Sequence, residues 1–466
     1  MKHTFDAPGC YLSAVSVVDA AGKPGAYALT EGIRVNGKYY VWSEAPDGGD
    51  GSEASPFNRL ADAASRTGDG GDVIYLKGRI AVSEKIVFNG SNLVVATWPG
   101  ETDRAVVAVE AHDDFAKNDT VFKIASAAVT ILNLDFEVEA AALKSSAKLF
   151  VLLGASTTFE SCDFELLNGT PTWSGNGQAG IIFADNGASI AELVVQNCHF
   201  SDFNNGSIDQ VYKLLCVGND AKIIGNVFER CAYILSNASG YIPNVHFMSN
   251  VVRNTSSVST TSKDCNCGSL FRAVRGDFGD GMEIAYNIFL NDEKGGIAVN
   301  DQGTLASFKL AKFHHNTVVG YDGFILSKTT EEIITKESEL YKMTSYIVFD
   351  NLLVNTDVAL DDQRDKAWLT DKTVVRNNYL KGGEGAAVVK IASGLDGTRA
   401  IIVDNKTMDS MPVFKSTTFG DPDFYRPKAA KTDPIVSGGW TDNGKYPAYI
   451  GAVEPLVTGG MIILVR

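Results

Sequence analysis

Three basic side chains near the middle of the chain are suited to acid–base chemistry on a carboxylated substrate: Lys213, Arg272 and Arg275. The proton next to a carboxylate is weakly acidic, so removing it requires a cation that neutralises the carboxylate and a Lys or Arg that accepts the proton. In Tyr212-Lys213-Leu214 the alternation of a strand directs Lys213 outward, and Arg272 points outward in the same way. Two strand spacings, about 10 Å, would separate Lys213 from Arg272, which suits adjacent sugar rings. The competing interpretation is that they are exposed strand residues without a catalytic role.

An acidic group follows directly after these basic residues. Asp277, Asp280 and Glu283 lie within seven positions of one another. Hard oxygen ligands close together in sequence are what Ca²⁺ requires, so the segment is a candidate Ca²⁺ loop. The alternative is an ordinary solvated turn, because turns often have this composition.

Other side chains are candidates for contact with sugar. Trp173 lies in a long polar loop from Asn168 to Gln178, Tyr241 lies beside the central coils, and Asp209 lies in the loop from Ser201 to Gln210. We expect Trp173 and Tyr241 to stack on sugar rings, with buried packing as the alternative for Trp173.

A recurring Asn indicates the elements that must position these groups. Each Asn lies between short β-branched or apolar segments with period-two alternation. The steps between Asn residues are uneven, from 24 (226 to 250) to 37 (250 to 287), which excludes a helical repeat of fixed length. Stacked Asn amides can hydrogen-bond along a ladder at a spacing of roughly 4.8 Å. The members are Asn197, Asn226, Asn250, Asn287, Asn316, Asn351 and Asn377.

A second apolar run after each Asn segment predicts a further strand, so each coil has three strands. We therefore predict an all-β parallel β-helix of about nine to eleven coils, estimated from the stacking of repeats. The second runs are residues 150–153, 180–184, 212–217, 233–235, 269–274, 296–299, 323–326 and 387–391. The histidines His199, His246, His314 and His315 lie in the strands next to the Asn bends, and we expect structural roles for them.

Composition excludes some partners. The net charge of −15 argues against nucleic acid, since phosphate binding needs a basic surface. An anionic glycan is still compatible, because a local basic groove can outweigh a distant acidic field under physiological screening. No apolar run reaches the roughly 18 residues of a membrane-spanning helix. The first residues are not followed by an apolar segment, so either the protein is cytosolic or the chain is a mature form.

Seven cysteines are present. Cys162, Cys198 and Cys231 occupy equivalent positions near strands, and we expect stacked, buried thiols. Cys265 and Cys267 form a C-x-C in a loop without further ligands at metal-site spacing, and pairing of one of them with another loop cysteine remains open.

Segments at both ends carry a family resemblance. The stack opens with Asp50-Gly51-Ser52, then a candidate helix from Arg59 to Ser65 that Asn58 would cap, and then Gly71-Asp72-Val73-Ile74. It closes with the segments Gly420 to Phe424 and Ile450 to Ala452. Over residues 41–455 the chain resembles secreted bacterial β-helix proteins of the pectate-lyase-like superfamily. The resemblance implies a right-handed, single-stranded parallel β-helix with an N-terminal helical cap. It also implies a secreted, periplasmic or cell-surface location.

The resemblance implies a carbohydrate-active protein. The expected activity is that of a polysaccharide lyase cleaving a uronate-containing glycan by β-elimination. The alternative is a non-catalytic glycan-binding or cell-surface structural protein. A glycoside hydrolase is less favoured, because Asp357, Asp361 and Asp362 are too close in sequence to lie on successive coils and no Gly-His-Gly or Arg-x-Lys follows.

We expect a monomer with three regions. Residues 1–40 form an N-terminal cap or the remnant of an upstream module, 41–420 the β-helix, and 421–466 a C-terminal cap segment. The sequence does not identify the glycan.

Overall fold

Three faces of parallel β-structure repeat along the chain in the computed structural model. It describes residues 9–11, 14–18, 24–29, 33–68, 70–111, 120–125, 128–143, 148–153, 156–168, 179–184, 192–203, 212–218, 220–231, 234–237, 244–254, 281–292, 294–301, 311–327, 345–362, 372–391 and 400–458. Only the backbone is described for residues 9–11, 14–18, 24–29, 33–35, 212, 213, 216, 236, 237, 254, 300, 301, 327 and 456–458.

The two longest sheets each take one strand from successive coils. Sheet A has thirteen strands, Lys38–Trp42, Val73–Lys77, Leu93–Thr97, Ala128–Leu132, Ser156–Glu160, Leu193–Gln196, Ala221–Ile224, His246–Met248, Glu283–Ala285, Ala311–His314, Tyr346–Phe349, Val374–Arg376 and Ile401–Val403. Sheet B has twelve, Arg79–Val82, Ala105–Val109, Leu134–Glu139, Asp163–Leu167, His199–Ser201, Val227–Glu229, Val251–Asn254, Ile288–Asn291, Thr317–Val319, Leu352–Val354, Tyr379–Lys381 and Lys406–Thr407. Ten coils are complete within the described residues, because the two sheets of the third face have six and four strands, and this number agrees with the predicted nine to eleven.

The third face is divided between two sheets. Sheet C has six strands, Ile86–Phe88, Thr120–Ile124, Lys148–Leu152, Ala179–Ala184, Tyr212–Val217 and Leu235–Asn237. Sheet D has four, Ile297–Asp301, Gly323–Ser327, Val358–Asp362 and Ala387–Ile391. The predicted parallel β-helix with three strands per coil is confirmed, and every predicted second run except 269–274, which lies outside the described residues, overlaps a strand of sheet C or D.

The bend from sheet A to sheet B explains the recurring Asn. One residue takes a left-handed conformation, for example Gly225 with φ of 69° or His315 with φ of 52°, and the residue after it points inward. In the inward position, Asn316 Nδ2 donates to Asn351 Oδ1 at 2.9 Å and to the backbone oxygen of Ile284 at 2.9 Å. The amides of this Asn ladder are those of Asn226, Asn250, Asn287, Asn316, Asn351, Asn378 and Asn405.

Two predicted members of the ladder are corrected. Asn197 and Asn377 take the left-handed position, with φ of 54° and 52°, and do not enter the ladder. Asn tolerates this conformation well, so the same residue type fits both neighbouring positions of the bend. Asn378 fills the rung in the coil of Asn377, whereas Cys198 does so after Asn197, and the Cys198 N–H donates to Asn226 Oδ1 at 2.9 Å.

The predicted cysteine stack is confirmed for two of its three members. Cys162 and Cys198 are buried in successive rungs of the bend and contact each other through their side chains. Cys231 is also buried, but it follows the left-handed Arg230 at the far end of sheet B. Cys265 and Cys267 lie outside the described residues.

A short helix lies against the first coils. Helix α1 spans Leu60–Arg66 and buries Leu60, Ala63 and Ala64, whereas the predicted helix began one residue earlier. Asn58 does not cap it, because Arg59 occupies the N-cap position and no side chain caps the helix; Asn58 Nδ2 donates to Asp47 Oδ1 at 2.5 Å. A 3₁₀ turn spans Ala140–Ala142.

The last described segment folds back over sheet B. Strand Pro427–Ala430 pairs with Val413–Phe414 and Leu456–Thr458, and helix α2 spans Pro434–Ser437. Ile435 of this helix and Ile450 farther along the segment bury the outward side chains of Leu352 and Tyr379. We call residues 413–458 the C-terminal cover.

Two antiparallel strand pairs lie before the first coil. Gly9–Tyr11 pairs antiparallel with Ile33–Val35, and Ala14–Val18 with Pro24–Leu29. Within the described ranges, none of the helices has the length and apolar character needed to cross a membrane.

Candidate functional site

The predicted catalytic face corresponds to sheet C. Lys213 lies in strand Tyr212–Val217, as predicted, and its backbone is in register with Gly180, which in turn is in register with Lys148. These three residues form one row across sheet C, with lysines two coils apart and a glycine between them. The side chain of Lys213 lies outside what the structure describes, as do Arg272, Arg275, Asp277, Asp280, Trp173, Tyr241 and Asp209 entirely.

The neighbouring row of sheet C is largely apolar. Val87, Lys123, Val151 and Phe183 follow one another in register on the outer side. Phe183 is 1% exposed, packs against Val151, and has the Lys148 Nζ 4.1 Å from its ring centre. An apolar strip flanked by lysines thus lines the described part of this face.

Glu283, the one predicted metal ligand that the structure describes, lies on sheet A between two histidines. Its Oε1 is 2.7 Å from His314 Nε2, and its Oε2 is 3.4 Å from His246 Nδ1. These two imidazole contacts lower the pKa of Glu283 far below its ordinary value, although its partial burial opposes the shift. The carboxylate is therefore an anion held by imidazoles on both oxygens.

A chain of hydrogen bonds continues inward from Glu283. His314 Nδ1 is 3.0 Å from His315 Nδ1, and His315 Nε2 is 3.2 Å from the Pro447 oxygen. The three contacts need three protons, but two neutral imidazoles supply two, since the carboxylate and carbonyl oxygens only accept. Burial lowers the pKa of His315 to about 3 and also lowers that of His314, so neither ring supplies a third proton and one of the three contacts lacks a bridging hydrogen. The Glu283 carboxylate partly offsets the lowering of the His314 pKa.

Asp350 extends this buried network to the C-terminal cover. It is fully buried, its two oxygens accept from the Trp440 N–H at 2.9 and 2.8 Å, and its Oδ2 is 3.7 Å from His315 Nε2. Burial raises the pKa of Asp350 to about 7. The network therefore attaches the cover to coils far away in sequence.

A polar cleft opens on sheet A beside this network. Its volume is about 490 Å³. Lys222 forms an ion pair with Glu192, and Asn244 Nδ2 donates to Asp220 Oδ1 at 2.8 Å. The residues that line it come from the starts of four successive strands and the turns before them: Ser156, Glu192, Asp220, Lys222, Asn244 and His246.

Charged side chains on sheet B form pairs of their own. Arg104 Nη1 lies 3.2 Å from Asp135 and 3.1 Å from Asp163, and His199 Nε2 lies 3.6 Å from Glu229. In the described part of the chain, no three His, Cys, Asp or Glu side chains are arranged to hold a metal ion.

Sequence reasoning missed the row around His246. Lys222, His246, Glu283 and Lys312 are consecutive in register on the outer side of sheet A. Each residue lies four positions before an Asn of the ladder, as His246 does before Asn250, so counting back from the Asn would have found the row.

No protein-family model matches this chain, and no curated protein does. Among solved structures, the chain is similar to pectate lyase Pel9A, with 15% identity over 91% of this chain and 98% of that chain and a TM-score of 0.52. It is also similar to a rhamnogalacturonan lyase, with 14% identity, 82% and 91% coverage and a TM-score of 0.45. A lacto-N-biosidase of family GH136 from Eubacterium ramulus has 12% identity, 80% and 67% coverage and a TM-score of 0.45. The fold is a parallel β-helix that resembles pectate lyase Pel9A.

Proposed function

We propose that the protein is a secreted carbohydrate-active β-helix enzyme that cleaves a uronate-containing glycan by β-elimination. The observation that carries the proposal is the similarity to pectate lyase Pel9A over 91% of this chain. At 15% identity this similarity is one of fold, so the chemistry rests on the candidate residues.

The proposed reaction takes place on sheet C. Arg272 and Arg275 would neutralise the uronate carboxylate, and Lys213, as the free amine, would accept the proton from the adjacent carbon. The electron pair of that C–H bond forms a carbon–carbon double bond, while the bond to the leaving glycosidic oxygen breaks and that oxygen takes up a proton. Trp173, Tyr241 and Asp209 would hold the neighbouring sugar rings.

Calcium is a candidate cofactor of the proposed elimination. A bound Ca²⁺ would add positive charge beside the uronate carboxylate. Of its three predicted ligands, Asp277 and Asp280 lie outside the described residues, and both oxygens of Glu283 are engaged by imidazoles. The elimination proposed for Lys213 therefore proceeds without a role for the metal.

An elimination assay tests the proposal directly. The protein is incubated with polygalacturonate, alginate and chondroitin, with Ca²⁺ or with a chelator, and the ultraviolet absorbance of the unsaturated uronate is followed. Lys213→Ala should lower the rate about 10²–10⁴-fold, the usual contribution of a general base. Lys123→Ala is the matched control, because Lys123 is an outward lysine of the same sheet in the neighbouring row, and it should leave the rate unchanged.

Three outcomes would contradict the proposal. No absorbance on the whole panel would rule out elimination of these uronates, and glycan binding without any change in chain length would favour the non-catalytic alternative. New reducing ends without absorbance would indicate hydrolysis. Equal losses in Lys213→Ala and Lys123→Ala would remove Lys213 from the site.

A further inference from the structure

We propose that the cleft on sheet A is a second glycan-binding site, one that takes neutral sugars rather than uronates. The inference rests on the proposed carbohydrate function, but it concerns a different face of the solenoid. Lys213 lies on sheet C, whereas the cleft is formed by sheet A and the turns before its strands. Two such sites would hold a glycan that carries both uronate and neutral segments.

The shape of the cleft suits a linear chain. Its residues come from four successive coils, which include the strands Leu193–Gln196, Ala221–Ile224 and His246–Met248. Three inter-strand steps of roughly 4.8 Å make the row about 14 Å long. The cleft thus runs along the solenoid axis, and its volume of about 490 Å³ accommodates several sugar rings in a row.

The charge of the cleft argues against a uronate. Among the described residues that line the cleft, Glu192 and Asp220 carry two negative charges, and Lys222 carries one positive charge that Glu192 already pairs. An anionic polymer would meet a net negative wall, whereas sugar hydroxyls can donate to these carboxylates and accept from the ammonium group. Neutral sugars are therefore the ligand class that fits.

Asn244 holds its amide in a fixed orientation within the cleft. Its backbone is left-handed, with φ of 56°, and its Nδ2 donates to Asp220 Oδ1 at 2.8 Å. Gly281 lies beside it, and a Cβ at that position would come within 2.5 Å of Asn244 Oδ1. The glycine therefore leaves room for an amide oxygen that can accept from a hydroxyl.

His246 adds a second oriented polar group. Its side chain is 33% exposed, and its Nδ1 faces Glu283 Oε2 at 3.4 Å. Because the Glu283 carboxylate accepts, Nδ1 carries the proton in the neutral ring and Nε2 is an acceptor for a sugar hydroxyl. Glu283, itself held by His314 at 2.7 Å, is a positioning residue for this imidazole.

Histidine NMR tests the site without any turnover. The chain has six histidines, which can be assigned by substitution. Titration with neutral tetrasaccharides of galactose, xylose and glucose should shift the ring resonances of His246 and leave those of His199 in place. His199 is the matched reference, since it also faces a carboxylate, Glu229, but on sheet B. Trigalacturonate should shift His246 little at the same concentrations.

A pair of glycine variants measures the contribution of the amide. Asn244→Gly keeps the left-handed backbone and removes the side chain, so it should weaken binding of the neutral tetrasaccharide about 2–10-fold. Asn92→Gly is the control, because Asn92 has φ of 55° in the turn before an earlier strand of sheet A and lies outside the cleft. Binding by this control should be unchanged.

The proposal would be overturned if no neutral tetrasaccharide shifted His246. It would equally be overturned by a preference for trigalacturonate, or by equal weakening in Asn92→Gly and Asn244→Gly. Neutral tetrasaccharides contain no uronate, so they cannot be substrates of the elimination proposed for sheet C. Failure of the elimination assay and failure of this titration are therefore separate results.

Discussion

The early and late coils of the solenoid make the same bend from sheet A to sheet B with different interiors. In the early coils, Cys162 and Cys198 fill two of the rungs, and phenylalanines stack behind them with centroid distances of 4.8 Å for Phe136–Phe164 and 4.7 Å for Phe164–Phe200. In the late coils, from Asn226 onward, amides fill the rungs, and a buried network that includes His315 and Asp350 lies beside them.

The difference separates two ways of stabilising one backbone. Stacked aromatic rings contribute apolar burial and packing, which depend little on pH. Buried amides and titratable groups contribute only while every hydrogen bond is made, and an orphaned partner is costly. We therefore expect early coils that are insensitive to pH and late coils that respond to it.

The largest expected effect is that of breaking one rung of the ladder. Asn316→Ala removes two acceptor contacts, from the Asn287 N–H at 3.1 Å and from Asn287 Nδ2 at 2.9 Å, and leaves the oxygen of Ile284 without its donor. The free energy of unfolding should fall by about 4–6 kcal/mol, since each orphaned buried group costs roughly 1–3 kcal/mol. Denaturant unfolding measures it. Asn197→Gly, outside the ladder, should cost less than about 1 kcal/mol, and equal losses would argue against the ladder.

Breaking the aromatic stack should have the next largest effect. Phe164→Ala removes a ring that is 1% exposed and stacks on Phe136 and Phe200. The expected loss is about 3–5 kcal/mol, as for other large-to-small core changes. Amide hydrogen exchange should show the loss of protection in the early coils. The exposed Ile401→Ala, at 49% exposure, should change stability little, and lost protection mainly in the late coils would contradict the comparison.

The pH response sharpens the comparison further. Asp350 has a pKa raised from 3.8 to about 7, so its contribution to stability falls as pH rises between those values. His315 has a pKa lowered from 6.5 to about 3, so its contribution falls as pH drops through that range. The two slopes oppose each other, so Asp350 offsets part of the stability that His315 loses between about pH 6.5 and 4.

Asp350→Asn removes the pH dependence of stability that Asp350 contributes and leaves that of His315. The variant should lose roughly 2–3 kcal/mol as pH falls from about 6.5 to 4, because the neutral His315 is then uncompensated. Above about pH 7 it should be more stable than the native protein. Chemical unfolding across this pH range measures both effects. A native protein that loses stability as steeply as the variant would show that Asp350 does not offset His315.

The smallest effect is expected from extending the ladder. Cys198→Asn places an amide where its Oδ1 can accept from Cys162 and its Nδ2 can donate to Asn226 Oδ1, so stability should rise by up to about 1 kcal/mol. Cys231→Asn is the control, since this buried cysteine lies at a different bend and an amide there would lack the ladder partner. It should destabilise by about 1–3 kcal/mol. Thermal unfolding distinguishes the two, and a destabilised Cys198→Asn would mean that the early bend does not accept an amide.

Most of the fold could be predicted because the signal is periodic. The Asn segments located the bends, and the runs such as 212–217 located the third face. Asn197 and Asn377 were misplaced because one bend offers two adjacent positions that suit Asn, and only the register of neighbouring coils distinguishes them. Within a repeat such as that from Asn226 to Asn250, nothing in the local sequence reveals which of the two adjacent bend residues joins the ladder.

The site could be predicted only in part. Lys213 was correctly placed in a strand, because alternation is a local property. The contacts of Glu283 were not foreseen, because His246 and His314 approach it from coils on either side, 37 and 31 residues away in sequence. Only the register of sheet A, counted from the Asn ladder, brings such residues together.

The C-terminal cover has a consequence for the order of synthesis. Ala452 donates to Thr317 and Pro447 accepts from His315, over separations of 135 and 132 residues. A ribosome adding about 5–20 residues per second would need roughly 7–27 s to deliver the cover after these coils have emerged. During that interval Leu290, and later Leu352 and Tyr379 once they have been synthesised, lack the side chains that cover them in the folded protein. The nascent chain is then most prone to self-association, and a chaperone that binds apolar surface has its longest opportunity to act.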